Sequence, residues 1–203
     1  MSARFLALGD SYTIGEGVQP SERWPVQLVR ELRSGGVAIE DPVIVATTGW
    51  TTDELLAAID GANLHGPFAI VTLLIGVNDQ YRLRGSTQYL MEFAALLDRA
   101  VSFASGEASR VIVLSIPDWG VTPFAARDAR TPDEISREID QFNDVNSSGA
   151  LQLGARYVDV TGISRSARTD GSLLASDALH PSGRMYELWV RELLPVARAV
   201  LTG

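Results

Sequence analysis

The chain has 203 residues, 46% of them hydrophobic and 21% charged, enough for one sizeable core but short for two, so a single domain over 1–203 is expected. With no cysteine and two histidines it excludes disulfides, a thiolate nucleophile and thiolate metal sites, and the expectation is chemistry without metal or cofactor. A net charge of −8 without a Lys/Arg block argues against nucleic-acid or anionic-membrane partners, and with neither a secretory signal nor a membrane-length apolar run a cytoplasmic chain is expected.

In chain order, RFLAL (4–8) reads as a buried strand and stops on Gly9-Asp10-Ser11. Residues 22–34 read as a helix ending at Gly35-Gly36. PVIVAT (42–47) is the second strand, and Thr51 with Glu54 forms a capping box that opens a helix through LLAAI. FAIVTLLIG (68–76) is the third strand, followed by the long apolar helical face of STQYLMEFAALLDRAVSF. RVIVLSI (110–116) is the fourth, and residues 117–132 read as a long loop. A second capping box, Thr131 with Glu134 and Pro132 at the first helical position, opens the next helix. RYVDV (156–160) is the fifth strand, and a final helix over 182–200 presents Tyr186, Trp189, Val190, Leu193 and Leu194 on one side. All five strands are expected to be buried on both faces. Such alternation predicts a doubly wound α/β fold: a three-layer α/β/α sandwich on a five-stranded parallel sheet, with ligands at the carboxyl ends of the strands.

Four stretches fall at that edge: Ser11 after the first strand, TTGWTT (47–52) after the second, IGVNDQ (75–80) after the third, and SDALHPS (176–182) near the end. Alone, Ser11 reads as a turn or cap serine, and Asp177 and His180 as caps of the last helix. Together they supply a hydroxyl, an imidazole base and a carboxylate three residues before it to orient the base. The backbone N–H groups of Ser11 and Gly49 and the side-chain amide of Asn78 are candidate donors to an oxyanion. Asp10 is expected to bond turn amides and Asp79 to order its loop. Trp50, Tyr81, Trp119 and Phe124 are core or acyl-pocket candidates, with the 117–132 loop over the site. His65 reads as a surface residue and Asn146-Ser147-Ser148 as a chance glycosylation pattern.

Gly9-Asp10-Ser11, Gly49, Gly76-Val77-Asn78-Asp79 and Asp177-Ala178-Leu179-His180-Pro181 resemble the four blocks of the SGNH (GDSL-type) hydrolase family, in family order, over about residues 4 to 190. The chain departs from the family motif at Tyr12, where the motif has leucine, and at Thr48, where many relatives carry asparagine. The resemblance implies a flavodoxin-like fold, Ser11 as nucleophile, His180 as base, Asp177 as its partner, and Ser11, Gly49 and Asn78 as the oxyanion hole. The expected function is hydrolysis of a small-molecule carboxylic ester through an acyl-enzyme, with thioesters and acetylated carbohydrates as alternatives. An FMN-binding flavodoxin-like electron carrier is the alternative of another class. It suits TTGWTT as a phosphate loop, but that loop follows the second strand rather than the first, and Asp177 and His180 are left without a task.

Overall fold

In the computed structural model, which describes residues 2–202, the five apolar runs form β1 (Phe5–Gly9), β2 (Val43–Ala46), β3 (Ile70–Leu74), β4 (Val111–Leu114) and β5 (Arg156–Val158). They make one parallel sheet in the order β2-β1-β3-β4-β5, with Leu8 level with Val45 on one side and Leu73 on the other. β1, β3 and β4 are fully buried. β2 and β5 are the sheet edges, where Val43 and Arg156 are exposed and only Ala46 and Val158 are buried, which corrects the expectation of five doubly buried strands.

Eight α-helices accompany the sheet among the described residues: α1 (Ser11–Ile14), α2 (Trp24–Ser34), α3 (Thr52–Gly61), α4 (Val77–Tyr81), α5 (Ser86–Phe103), α6 (Pro132–Leu153), α7 (Thr161–Arg165) and α8 (Gly183–Thr202). Both capping boxes form, at Thr51 with Glu54 and at Thr131 with Glu134. The two-residue alternation of each strand divides the core. Phe5, Ala7, Ile70 and Ile112 face Trp24 and Leu28 of α2 and Trp189 and Leu193 of α8. Leu6, Leu8, Val71 and Val113 face Leu55 of α3 and Phe93, Leu96 and Leu97 of α5.

One stretch differs from its sequence reading. The 117–132 segment is folded into 3₁₀ turns at Trp119–Val121 and Pro123–Arg127. Asn146 is fully buried on α6, where its Oδ1 accepts the Tyr89 hydroxyl at 2.6 Å, which agrees with reading its glycosylation pattern as a chance one. No helix among the described residues is long and apolar enough to cross a membrane.

Candidate active site

The carboxyl end of β1 is built to turn abruptly. A Cβ on Gly9 would overlap Thr13 Oγ1 and come within 2.5 Å of the Leu74 carbonyl oxygen, so only glycine admits the close packing of α1 against the strand end. Asp10 caps α1, its Oδ1 accepting the Tyr12 N–H at 3.0 Å, and Ser11 becomes the first residue of that helix with its side chain 5% exposed. Asp10 is completely buried. Burial pushes its carboxyl up from 3.8 to about 8, against the pull of the Tyr12 N–H and with a smaller upward push from the Asp79 charge.

After β3, Gly76 adopts φ +123°, and a Cβ there would overlap the Tyr89 hydroxyl and come within 2.9 Å of Ile116 Cδ1. This turn starts α4 and brings Asn78 against the 47–51 loop, where its Nδ2 donates to the Trp50 carbonyl at 2.8 Å and keeps a second hydrogen. Gly49 in that loop sits at φ +89°. Neither its N–H nor that of Ser11 is taken up by another group among the described residues. Asp79, fully buried, accepts the N–H and hydroxyl of Thr52 at the start of α3, which realises the expected ordering role. Burial raises its carboxyl to about 6, against those two bonds and the Arg84 charge.

The segment before α8 folds back on itself. Ala175 N–H donates to the His180 carbonyl at 2.7 Å, Leu174 pairs with Pro181, and Ala178 takes φ +59°. Asp177 is thereby wrapped around the imidazole: Oδ1 accepts the N–H groups of Leu179 and His180 at 3.0 Å each, and Oδ2 lies 2.6 Å from His180 Nδ1. Partial burial pushes the Asp177 carboxyl up, but the imidazole and the two N–H groups outweigh it and hold it below its ordinary 3.8. An ionised partner on Nδ1 requires the proton there, which leaves Nε2 of neutral His180 as an acceptor. The Tyr12 ring meets the imidazole edge-on, at 5.8 Å between centroids.

Ser11, Gly49, Asn78 and His180 line one cleft of about 170 Å³. Ser11 and His180 share it without a direct hydrogen bond among the described contacts. Tyr81, Trp119, Phe124 and Leu179 form its apolar wall, the three aromatic rings packing at 5.5 to 6.4 Å. Trp50, the fourth aromatic candidate, does not line the cleft: its ring packs on the sheet face covered by α3 and α5, and only its carbonyl serves the site. His65 is exposed and remote from the cleft lining.

The wall is braced by groups that the sequence did not reveal. Trp119 Nε1 donates to Gln80 Oε1 at 2.8 Å, and Gln80 Nε2 donates to Glu138 at 2.7 Å. Arg130 donates to the same Glu138 oxygen at 2.7 Å and grips Asp128 with two further bonds. Asp118 is likewise tied to Arg165 at 2.9 Å. These bonds pin the 117–132 segment to α4, α6 and α7, so the wall is preformed. Gln80 and Glu138 lie far apart along the chain, and no local pattern announces their contact. Among the described residues no group of three or more His, Asp or Glu side chains is arranged to hold a metal ion.

A model of the GDSL-like lipase/acylhydrolase family matches residues 7–188. Comparison with curated proteins gives no match. Among solved structures, TesA is 20% identical with a TM-score of 0.76, covering 98% of this chain and 99% of its own. The psychrotrophic esterase EstA from Pseudoalteromonas sp., in a structure inhibited by monoethylphosphonate, is 18% identical with a TM-score of 0.71 over the whole of both chains. The W215I form of Axe2, an acetyl xylan esterase from Geobacillus stearothermophilus, is 20% identical with a TM-score of 0.70, covering 97% of this chain and 96% of that one. At these identities the likeness is one of fold.

Proposed function

The chain belongs to the GDSL-like lipase/acylhydrolase family of SGNH-type esterases, and from that premise we propose that it hydrolyses small carboxylic esters as a single catalytic domain, with Ser11 as nucleophile, His180 as general base and Asp177 as the group that orients it. Ser11 Oγ attacks the acyl carbon while His180 Nε2 takes its proton. The carbonyl oxygen becomes an oxyanion facing three donors, the N–H groups of Ser11 and Gly49 and Asn78 Nδ2. As the tetrahedral centre collapses, the alkoxide leaves with the proton from His180. Water then attacks the acyl-Ser11 ester, giving a proton to His180, which returns it to Ser11 as the acid departs.

The observation that carries this reading is the pair of Asp177 and His180 at 2.6 Å on the same cleft as Ser11, with the two unengaged N–H groups beside it. Three donors suit the reaction because losing one oxyanion-hole donor typically costs about 3 to 4 kcal/mol of barrier. The cleft also favours an apolar acyl group. Within its volume of about 170 Å³, the apolar lining by Tyr81, Trp119, Phe124 and Leu179 offers an acyl group a wall beside Ser11. Tyr81, 45% exposed at the edge of the wall, is an aromatic within reach of a sugar bound at the cleft mouth, which favours an O-acetylated carbohydrate as a second reading within the same chemistry.

The test compares 4-nitrophenyl acetate, a short-chain acyl-CoA and an acetylated oligosaccharide with wild type and Ser11→Ala. Turnover of at least one by wild type and of none by Ser11→Ala is expected. Equal turnover by a folded Ser11→Ala protein would sink the proposal.

A further inference from the structure

Arg82 follows α4 and stands four residues after Asn78, one helical turn on, so the two side chains emerge on the same side. Both reach the loop that carries Gly49, and they take consecutive carbonyls. Asn78 Nδ2 donates to Trp50 O at 2.8 Å, and Arg82 Nη2 donates to Gly49 O at 2.6 Å. The guanidinium is held from behind by Glu54, whose Oε2 lies 3.4 Å from Arg82 Nη1 and itself accepts the Thr51 N–H at 2.9 Å. α4 therefore grips the Gly49-Trp50 turn at two adjacent points, and the first turn of α3 fixes the grip.

Gly49 has no side chain to anchor and sits at φ +89°, so its peptide planes are held only through backbone atoms. The turn has one weak internal bond, Trp50 N–H to Thr47 O at 3.3 Å. An oxyanion donor must stand about 2.7 to 3.1 Å from an oxygen that exists only during reaction, so a small rotation of this turn would misplace the Gly49 N–H. Arg82 itself does not line the cleft, and Glu54 offsets its charge, so it is not placed to bind an anionic substrate.

We propose that Arg82 is a positioning residue of the hydrolysis: by holding the Gly49 carbonyl it fixes the Gly49 N–H relative to Asn78 and so sets the geometry of the oxyanion hole. This rests on the roles given above to Ser11, Gly49 and Asn78. The effect falls on the transition state, because the ground-state carbonyl makes less use of the donors than the oxyanion does.

The experiment measures kcat and KM for 4-nitrophenyl acetate, with thermal melts, on the full chain as wild type, Arg82→Met, Arg82→Lys and Ser11→Ala. Loss of one such bond predicts about a tenfold fall in kcat for Arg82→Met with KM within about twofold. Its melting temperature should stay at the wild-type value, since the guanidinium is half exposed. Arg82→Lys, which retains a donor for Gly49 O, should recover kcat to within about threefold of wild type. An unchanged kcat in Arg82→Met overturns the proposal. So does a fall in kcat accompanied by a changed KM and a lower melting temperature in both variants, which would make Arg82 a general structural tie. Wild-type activity that survives Ser11→Ala would overturn the serine mechanism itself, whereas Ser11-dependent activity indifferent to Arg82 would overturn only this inference.

Discussion

Asp10→Asn should convert a pH-dependent weakness at the base of the site into a pH-independent one. Asp10 has no exposed surface, accepts the Tyr12 N–H through Oδ1, and has no partner for Oδ2 among the described residues. Burial raises its folded-state pKa from 3.8 to about 8. Below about pH 4 the carboxyl is protonated in both folded and unfolded chains, and the full stability is present. As pH rises from about 4 to about 8 the unfolded chain releases this proton while the folded chain keeps it, so stability falls throughout that window. At 1.36 kcal/mol per unit the loss amounts to about 2 kcal/mol by pH 5 and about 6 kcal/mol by pH 9. Asparagine keeps the cap acceptor and the shape, while its amide hydrogens bring an unsatisfied-donor penalty of about 1 to 3 kcal/mol that does not vary with pH. The difference in unfolding free energy between Asp10→Asn and wild type should therefore move by about 4 kcal/mol in favour of the variant between pH 5 and pH 9. Urea unfolding followed by tryptophan fluorescence at pH 5, 7 and 9 measures it. A difference constant to within about 1 kcal/mol across that range would show that Asp10 is not held neutral by burial, and the reasoning would fail.

Asp177→Asn keeps the acceptor for the Leu179 and His180 N–H groups but turns an amide toward His180 Nδ1, forcing the imidazole proton onto Nε2; kcat should fall by roughly 10³- to 10⁴-fold with little change in melting temperature. Because the Asp177 carboxyl lies below 3.8, it should stay ionised between pH 5 and 9, and an NMR titration of its carboxyl carbon, assigned against Asp177→Asn, that showed protonation within that range would contradict this. Gly76→Ala places a methyl into the Tyr89 hydroxyl at φ +123° and should cost about 3 kcal/mol or more in urea unfolding; a loss under about 1 kcal/mol would mean that the turn relaxes freely. Trp119→Phe leaves Gln80 Oε1 buried without its donor, at about 1 to 3 kcal/mol, and should change the butyryl-to-acetyl ratio of kcat/KM several-fold in an ester chain-length series, whereas an unchanged ratio would remove Trp119 from the acyl wall.

Much of the fold is legible because strand length and apolar continuity are local signals. β2 to β5 lie within their predicted runs and β1 overruns its run by one residue, Gly9, while Thr51 and Thr131 cap the helices that their spacing with Glu54 and Glu134 indicates. The sequence does not say which strands lie at the edges, so the exposure of Val43 had no warning. α1 and α4 were unread because four or five residues carry too little periodicity, although both deliver site residues. The meeting of Ser11, Gly49, Asn78 and His180 follows from the rule that parallel strands end on one edge. The orientation of a side chain at that edge does not, so nothing in the sequence tells that, of the four aromatic candidates, Trp50 packs partly buried on the α3/α5 face of the sheet while the other three line the cleft. The bond of Arg82 to Gly49 and the chain from Trp119 through Gln80 to Glu138 join residues distant in sequence, and only the packing of α4 against its neighbours brings them together. The four-residue step from Asn78 to Arg82 was the one available hint, usable only once α4 is known to be a helix.

The proposed hydrolysis stands or falls with Ser11 as an activated nucleophile. Wild type and Ser11→Ala should be treated with a fluorophosphonate probe and any adduct located by intact-protein and peptide mass spectrometry. One adduct per chain is expected, on Ser11 and absent from the folded alanine variant. Labelling of folded wild type at another residue, or equal labelling of both proteins, would contradict it.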